Sequence, residues 1–367
     1  MTKILTAIMI LTLTACSEKF VKNTEAIDDP TAYEMSVEEQ AKIKWSVKAT
    51  AETLPVRSAK LGADTADDPA IWYNASNPEA SVIYGTNKQE GIHAYDLDGN
   101  ELQHLPYGKV NNIDIRQDVL LGGKKVDILA GSNRTTKSID LFVINEDGHI
   151  NNQPDYVVDV SYYMPYGFCL YKDANSELHT FFNDKYGYVL QHKITLTEEG
   201  TAKATKVRRV KLQTQAEGMV VDDLHHMLYI SEEQTAIHTV DLSDASNVKT
   251  EILAGSTKAN RQIRFDWEGL ALLPPHYLVA SSQGNFSYAI FDLQSRSYVK
   301  SFVIGPGTTI DGAEETDGLD ILARPLGNTY PQGVLVVQDG FNKENGLPAN
   351  QNFKIVDLRA IETHVTQ

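Results

Sequence analysis

The stretch Glu217-Gly218-Met219-Val220-Val221 decides the fold, because it returns 51 residues later as Glu268-Gly269-Leu270-Ala271-Leu272. In both copies, a polar residue and a glycine precede a short apolar strand. Four further copies of this first phrase occur along the chain, namely Asp68-Pro69-Ala70-Ile71-Trp72, Asn112-Ile113-Asp114-Ile115, Tyr166-Gly167-Phe168-Cys169-Leu170 and Asp317-Gly318-Leu319-Asp320-Ile321. Their leading residues lie about 44, 54, 51, 51 and 49 positions apart, which is the period of a four-stranded propeller blade or slightly more.

A second phrase follows each copy of the first and consists of an apolar strand, a polar turn and another strand. Val82 to Tyr95 is one example, and Val334 to Val356 is the last. Six such units without a sustained helical period predict an all-β fold, a six-bladed β-propeller with four to five antiparallel strands per blade. A two-sheet sandwich is the alternative, but it does not predict six evenly spaced copies. The strand-like segment from Trp45 to Thr50 is expected to complete the last blade.

The N-terminus predicts export and lipidation. Lys3, a short apolar stretch and Leu13-Thr14-Ala15-Cys16 are typical of a bacterial lipoprotein signal peptide in residues 1–16, with Cys16 as the lipidated N-terminus. An ordinary secretory signal with an incidental cysteine is the alternative. Residues 17–44 are expected to be a tether, with a short helix at most, and residues 45–367 the propeller.

These features predict an exported outer-membrane lipoprotein that faces the periplasm or the cell surface, because Ser17 after the cysteine fits outer-membrane sorting. No later apolar run reaches the length of a membrane span, so the lipid alone is expected to anchor the protein. The expected oligomeric state is a monomer.

Charge excludes one class of partner. The chain has 33 Lys and Arg residues against 49 Asp and Glu residues, which gives a formal net charge of −16. A protein of this charge is not expected to bind duplex nucleic acid, which requires a basic face for the phosphates. Two cysteines do not build a disulfide framework, and their spacing matches no zinc site.

Blade geometry predicts two rings of polar side chains at one end of the central channel. Equivalent residues lie at equal height around the channel, so the residues that lead the first phrase form one ring. That ring contains Asp68, Asn112, Tyr166, Glu217, Glu268 and Asp317. The turns of the second phrase form a wider ring with Lys88, Arg134, Lys185, Glu233, Gln283 and Asp339. Further carboxylates accompany the rings at Asp64, Asp67, Asp266 and Asp311.

The charges in these rings predict a phosphate-ester site that holds several Ca²⁺ ions. Crowded carboxylates repel one another unless cations bind between them, and a ligand set made only of oxygens favours calcium or magnesium over zinc, copper or iron. Blades one to three contribute three cations, Lys88, Arg134 and Lys185, which suit a phosphate. The alternative is that these charges only keep the loop tips soluble.

From about residue 45 to its end, the sequence resembles the β-propeller phytases, the alkaline phytases of the Bacillus type. The resemblance is carried by specific motifs, among them Asp64-Thr65-Ala66-Asp67-Asp68-Pro69-Ala70-Ile71-Trp72, Gly85-Thr86-Asn87-Lys88, Ser132-Asn133-Arg134, Glu217-Gly218-Met219, Thr316-Asp317-Gly318-Leu319-Asp320 and Asn350-Gln351-Asn352-Phe353-Lys354-Ile355-Val356. It implies a calcium-dependent phosphomonoester hydrolase of the 3-phytase type, with phytate or calcium-phytate as its substrate.

The resemblance also implies roles for individual residues. Those that match phosphate-contacting positions are Lys88, Arg134, Tyr166 and Lys185, and those that match ligands of the catalytic calcium ions are Asp67, Glu217, Glu233, Asp266, Glu268 and Asp317. Asp311 and Asp339 match a structural calcium site, and Asp68 joins the candidate metal ligands. Glu217 and Glu233 are also expected to be catalytic, because the calcium ions that they hold activate the attacking water. The alternatives are a calcium-dependent, lactonase-like hydrolase and a non-catalytic propeller that binds a ligand.

Overall fold

Helix α1 (Pro30–Gln40) and the short strands β1 (Ser46–Val47) and β2 (Ala51–Glu52) begin the part of the chain that the computed structural model describes, residues 30–361. The predicted signal peptide and Cys16 lie outside these residues. Within the described part, no helix combines the length and the apolar character that crossing a bilayer requires.

The repeated phrases form six antiparallel sheets in chain order. Blade one contains β3 (Ala66–Trp72), β4 (Val82–Asn87), β5 (Gly91–Tyr95) and β6 (Glu101–Pro106). Blade two contains β7 (Val110–Leu121), β8 (Lys124–Asn133), β9 (Ser138–Ile144) and β10 (Tyr156–Asp159). Blade three contains β11 (Phe168–Lys172), β12 (Leu178–Asn183), β13 (Tyr188–Leu196) and β14 (Ala202–Lys211).

The second half of the ring repeats this pattern. Blade four contains β15 (Ala216–Asp222), β16 (Met227–Glu232), β17 (Ala236–Asp241) and β18 (Glu251–Ile252). Blade five contains β19 (Trp267–Leu273), β20 (Tyr277–Ser282), β21 (Ser287–Asp292) and β22 (Ser297–Ile304). Blade six contains β23 (Leu319–Leu322), β24 (Val334–Asp339) and β27 (Asn352–Asp357), with a hairpin of β25 (Lys343–Glu344) and β26 (Leu347–Pro348) inserted. The predicted six-bladed propeller of four- to five-stranded blades is confirmed.

The ends of the ring are joined by β2, a little later in the chain than the sequence predicted. Strand β2 pairs antiparallel with β27 and completes blade six. The predicted closing segment, Trp45 to Thr50, instead contributes β1 to the edge of blade five, where it runs parallel to β22. The chain crosses between the two blades before Thr53, whose hydroxyl accepts a hydrogen bond of 3.0 Å from the Phe353 amide. This hydrogen bond lies next to the paired strands β2 and β27 that close the ring.

The glycine of the first phrase permits close contact between neighbouring blades. A Cβ atom on Gly167 would lie 1.9 Å from the carbonyl oxygen of Glu217, and one on Gly218 would lie 2.1 Å from that of Glu268. Any side chain would separate these innermost strands, so the backbone around the channel requires glycine here.

A β-bulge orients the side chains of the leading residues of the first phrase. In blades four and five the register shifts between Ala216 and Met219 and between Trp267 and Leu270, directly around Glu217 and Glu268. Blade one has the same irregularity around Asp67 and Asp68. A bulge turns a side chain out of the regular alternation of a strand, and here it presents carboxylates to the channel.

Apolar packing between blades supports this ring. Within residues 30–361, six clusters of buried side chains each join two neighbouring blades, including the pair formed by blades six and one. Phe353 of the last strand packs with Ile71 and Tyr95 of blade one in the cluster that closes the ring. Because every blade is covered on both faces, the polar side chains at the channel end lie on a rigid support.

Candidate active site

A cavity of about 1160 Å³ opens at one end of the channel. Most of the predicted site residues line it, namely Lys88, Tyr166, Lys185, Glu217, Glu233, Asp266, Glu268 and Asp317. They come from five of the six blades, so the ring geometry inferred from the repeat brings them together as expected. Asp67 and Arg134 lie directly behind the wall, where they contact Lys88.

Three carboxylates form the most compact acidic group at this site. Asp67, Glu217 and Asp317 each place one oxygen within 4.8 Å of the others, and all three residues are buried. Neither carboxylate oxygen of Asp67 accepts a hydrogen bond. Asn111 orients Glu217 by donating from its Nδ2 to Oε1 at 2.6 Å. Buried oxygens without a donor are costly unless a cation binds them, so this group fits a hard metal ion.

A second acidic group continues the site toward blade five. Burial and the charge of Glu217 raise the pKa of Glu233 to about 8 and the pKa of Asp266 to about 6. Burial and the same neighbour also raise the pKa of Glu268, whose buried Oε2 accepts no hydrogen bond. Gln215 fixes Glu233 by a hydrogen bond of 2.6 Å to Oε1. Without bound cations, the Glu233 carboxyl therefore retains its proton into the neutral range.

The cations face these acids from the first three blades. Lys88 Nζ lies 2.6 Å from Asp64, 3.2 Å from Asp317 and 3.7 Å from Asp67. Burial alone would lower the pKa of Lys88, but these carboxylates raise it well above its ordinary value. Lys88 is therefore the fixed counter-ion of the acidic group.

Two further cations, Lys185 and Arg134, are available to bind an anion. The Lys185 ammonium lies 4.1 Å from the centre of the Tyr166 ring, a cation–π contact that holds it at the cavity wall. Arg134 donates from one terminal nitrogen to the Lys88 carbonyl at 3.3 Å, while its buried Nε has no hydrogen-bond acceptor. Both side chains suit a phosphate, Lys185 as a point charge and Arg134 as a planar fork.

Asp68 occupies a different place from the rest of its ring. Its Oδ2 accepts a hydrogen bond of 3.1 Å from the Ile113 amide of the next blade, and it lines a small cavity inside the channel with Asn112. The carboxylate therefore joins blades one and two below the mouth. A role for Asp68 in metal binding stays a prediction.

Asp311 and Asp339 lie together, but around an ammonium group. Lys354 is completely buried, and its Nζ contacts Asp311 Oδ1, Asp339 Oδ2 at 3.1 Å and Glu52 Oε2 at 2.6 Å. Asn342 Oδ1 accepts from the same ammonium at 3.0 Å. Burial alone would lower the pKa of Lys354, but Asp339 and Asp311 raise it above its usual range.

The remaining oxygens of this cluster are also engaged. Asp339 Oδ1 accepts from the Glu314 amide at 2.9 Å, and Asp311 Oδ2 accepts from the Lys343 amide at 2.7 Å. Three of the four carboxylate oxygens of the two residues thus accept a hydrogen bond, and the fourth, Asp339 Oδ2, lies 3.1 Å from the ammonium without one. The arrangement does not fit a calcium ion while the Lys354 ammonium occupies its centre, and a structural calcium at this position stays a prediction.

Several residues of the site escaped the sequence reasoning. Helix α1, expected to be part of a tether, lies against the propeller and lines the cavity with Ala32, Met35, Ser36, Glu38 and Glu39. Arg264 lines the cavity as well, two residues before the predicted ligand Asp266. Asn111 and Gln215 were not among the predicted site residues, although each lies within two residues of a ring position, Asn112 or Glu217.

Comparisons with known proteins cover most of the chain. A family model described as Phytase matches residues 9–367. The 3-phytase of Bacillus subtilis (strain 168) is 40% identical over 332 residues, which cover 88% of this chain and 86% of that protein.

Two solved structures are more distant. A nidogen/laminin complex chain is 13% identical with a TM-score of 0.43, and the match covers 65% of this chain and 79% of that one. The Cps50 (Swd1) β-propeller domain of Myceliophteria thermophila is 14% identical with a TM-score of 0.47, and the match covers 78% and 82% of the two chains. Likeness at this level carries no information on function.

Proposed function

Because this chain belongs to the phytase family, we propose that it releases phosphate from phytate, myo-inositol hexakisphosphate, at the mouth cavity by a calcium-dependent attack of water. The observation that carries this proposal is the buried acidic group of Asp67, Glu217 and Asp317 next to Lys88, in a cavity that Lys185 also lines. An acidic group alone would repel a polyanion, and a cationic group alone would not hold metal ions. Together they suit a phosphate ester that is bound through both.

The residues that would hold the calcium ions are the oxygen ligands of the two acidic groups, Asp67, Glu217, Asp317, Glu233, Asp266 and Glu268. The unsatisfied oxygens of Asp67 and Glu268 support this assignment. Calcium held by these residues would neutralise the acidic wall and would make a water molecule a better nucleophile. Asp311 and Asp339 do not belong to this set, because the Lys354 ammonium contacts both carboxylates.

The side chains of the chain perform the remaining tasks. The half-buried Arg134 supplies a guanidinium for a phosphoryl oxygen, and Lys185 adds a second positive charge at the cavity wall. Both stabilise the charge that develops on the phosphoryl group as the bond from the water oxygen to phosphorus forms and the bond to the inositol oxygen breaks. The inositol oxygen leaves with a proton, and no covalent enzyme intermediate is formed.

Phosphate release from phytate, measured with calcium and with excess chelator, tests the proposal. We expect release only with calcium. A lactone substrate under the same conditions distinguishes a lactonase-like hydrolase, and binding of phytate without release would indicate a non-catalytic propeller. Release that continues undiminished in chelator would contradict calcium dependence while leaving phytate hydrolysis intact.

Stability without calcium is expected to fall as the pH rises. Burial and neighbouring charges raise the folded-state pKa of Asp317 to about 7 and that of Glu233 to about 8, whereas carboxyl groups in an unfolded chain titrate near pH 4. Between about pH 4 and 8 the folded protein therefore binds more protons than the unfolded chain, so stability decreases across this window.

Thermal unfolding from pH 5 to 8, in chelator and in millimolar calcium, measures this effect. Calcium replaces the protons as the partner of the carboxylates, so the melting temperature should depend less on pH when it is present. Glu233→Gln is the matched variant and should reduce the slope in chelator. Parallel slopes with and without calcium would show that no ion binds this group.

We also propose that the protein is an exported lipoprotein of the outer membrane, anchored through Cys16. Cys16→Ala should abolish the incorporation of labelled palmitate and remove the protein from the membrane fraction, because the only acceptor for the lipid is lost. The control is Cys169→Ala, which changes the buried thiol in blade three and should retain the label. A Cys16→Ala protein that stays membrane-bound would reject the anchor.

A further inference from the structure

Helix α1 forms one wall of the mouth cavity. The Tyr33 hydroxyl donates to Glu314 Oε2 at 2.9 Å, and Gln40 Nε2 donates to the Phe286 carbonyl at 3.2 Å. The Tyr33 ring also meets the edge of the Phe341 ring at 5.0 Å between centroids. These contacts fix both ends of the helix to blades five and six, so its cavity-facing side chains have defined positions.

One of those side chains binds an arginine that has no part in the mechanism above. Arg264 NH2 donates to Glu39 Oε2 at 2.8 Å, and NH1 donates to the carbonyls of Arg261 and Ile263 at 2.7 and 2.8 Å. The two carbonyl bonds hold the guanidinium in place independently of Glu39. Arg264 is therefore a positioned cation on the acidic side of the cavity, paired with a carboxylate from outside the propeller.

A carboxylate bound to a guanidinium group uses the same donors that a phosphate would use. Both anions accept paired hydrogen bonds from the planar fork, and a phosphate monoester carries more charge than Glu39. Phytate bears phosphates all around its ring. When one of them reacts beside Arg134 and Lys185, in blades two and three, another projects toward the opposite wall, where Arg264 lies in the loop that leads into blade five.

We propose that Arg264 binds a non-reacting phosphate of the substrate, and that Glu39 of α1 occupies this position until the substrate displaces it. This inference rests on the proposed function. The exchange requires little energy, because the side chains of Arg264 and Glu39 are 38% and 26% exposed. A pair of this exposure favours the occupied arrangement by only about twofold to fivefold.

Binding of myo-inositol hexasulfate, a hexa-anion that the protein cannot dephosphorylate, tests the proposal by calorimetry on the chain with α1 intact and calcium present. Arg264→Ala should weaken binding about tenfold, the loss expected for a charge-assisted hydrogen bond. Arg264→Lys should recover part of this loss, because it keeps the charge and loses the fork. Glu39→Gln should strengthen binding about twofold to fivefold, because the competing anion is removed.

Glu38→Gln is the matched control. Glu38 lies next to Glu39 on the same helix and lines the same cavity, so this change removes an equal charge without freeing Arg264. Binding should stay at the wild-type level. An equal gain from Glu38→Gln and Glu39→Gln would reduce the effect to net charge and overturn the proposal, as would wild-type affinity in Arg264→Ala. A wild-type protein that binds the hexasulfate but releases no phosphate from phytate would instead refute the proposed function.

Discussion

Glu217→Gln is expected to lower the rate of phytate hydrolysis by at least about 100-fold and to raise the calcium concentration needed for half-maximal activity. The substitution keeps the size of the side chain and its hydrogen bond from Asn111, but it removes one charge from the group formed with Asp67 and Asp317. Changes to residues that orient metal ligands already cost about 10- to 100-fold, and the loss of a ligand charge exceeds that. Initial rates at saturating phytate, measured against calcium concentration, give both quantities.

The same variant should be more stable than the wild type when calcium is absent. Three mutually repelling carboxylates become two, so the melting temperature in chelator rises while activity falls. This opposite response separates a metal-binding role from simple damage to the fold, which lowers both. A variant with unchanged calcium dependence would remove Glu217 from the proposed ligands.

Arg134→Ala distinguishes the residues that bind phosphate from those that bind calcium. It removes a donor to the phosphoryl group, and the loss of one such donor costs about 10²- to 10³-fold in rate. Its calcium requirement should equal that of the wild type, because Arg134 contacts the Lys88 carbonyl and no carboxylate of the acidic groups. If Arg134→Ala and Glu217→Gln both retained full activity, the mouth cavity would not be the active site.

The sequence predicted the parts of this protein that repeat. A leading polar residue, a glycine and a short strand recur because each innermost strand meets the same neighbour in the ring, as the close approach of Gly167 to Glu217 and of Gly218 to Glu268 shows. The length of the repeat therefore identifies the blade as the repeating unit. The position of a residue within the repeat indicates which end of the channel its side chain faces. Lys88, Lys185 and Glu217 were found in this way.

The parts that do not repeat were hidden from this reasoning. The direction of Asp68 depends on how one bulge is shaped, and it points to an amide of the next blade. Helix α1 lacks the repeating apolar face that predicts docking. It is held by single side chains such as Tyr33, whose hydroxyl donates to Glu314 and whose ring contacts Phe341. The contact of Lys354 with Glu52 joins residues 302 positions apart and exists only because the ring closes.

Lys354→Met is expected to destabilise the protein by about 3–5 kcal/mol in chelator, the cost of removing one partner from a buried ion pair. The ammonium is completely buried, and without it the carboxylates of Asp311, Asp339 and Glu52 lose their shared counter-ion. Methionine fills most of the space of the lysine side chain. The loss of stability therefore measures the removal of the charge and not the creation of a cavity. Chemical denaturation in chelator measures it.

Lys343→Met is the control for this variant, because Lys343 forms an ion pair of 3.0 Å with Glu314 that is 38% and 21% exposed. A pair at the surface contributes about 0–1 kcal/mol, so this variant should unfold almost as the wild type does. Equal stability of Lys354→Met and the wild type in chelator would show that the carboxylates do not depend on the ammonium.

The effect of calcium on the stability of Lys354→Met tests whether this cluster can also bind a metal ion. Once the ammonium is gone, the oxygens of Glu52, Asp311, Asp339 and Asn342 form the kind of donor set that calcium prefers. We therefore expect calcium to stabilise Lys354→Met by more than it stabilises the wild type, because the ion gains a place that the lysine had filled. An equal gain in the two proteins would restrict calcium to the mouth cavity and leave Lys354 as the permanent cation that holds the N-terminal strand β2 in the last blade.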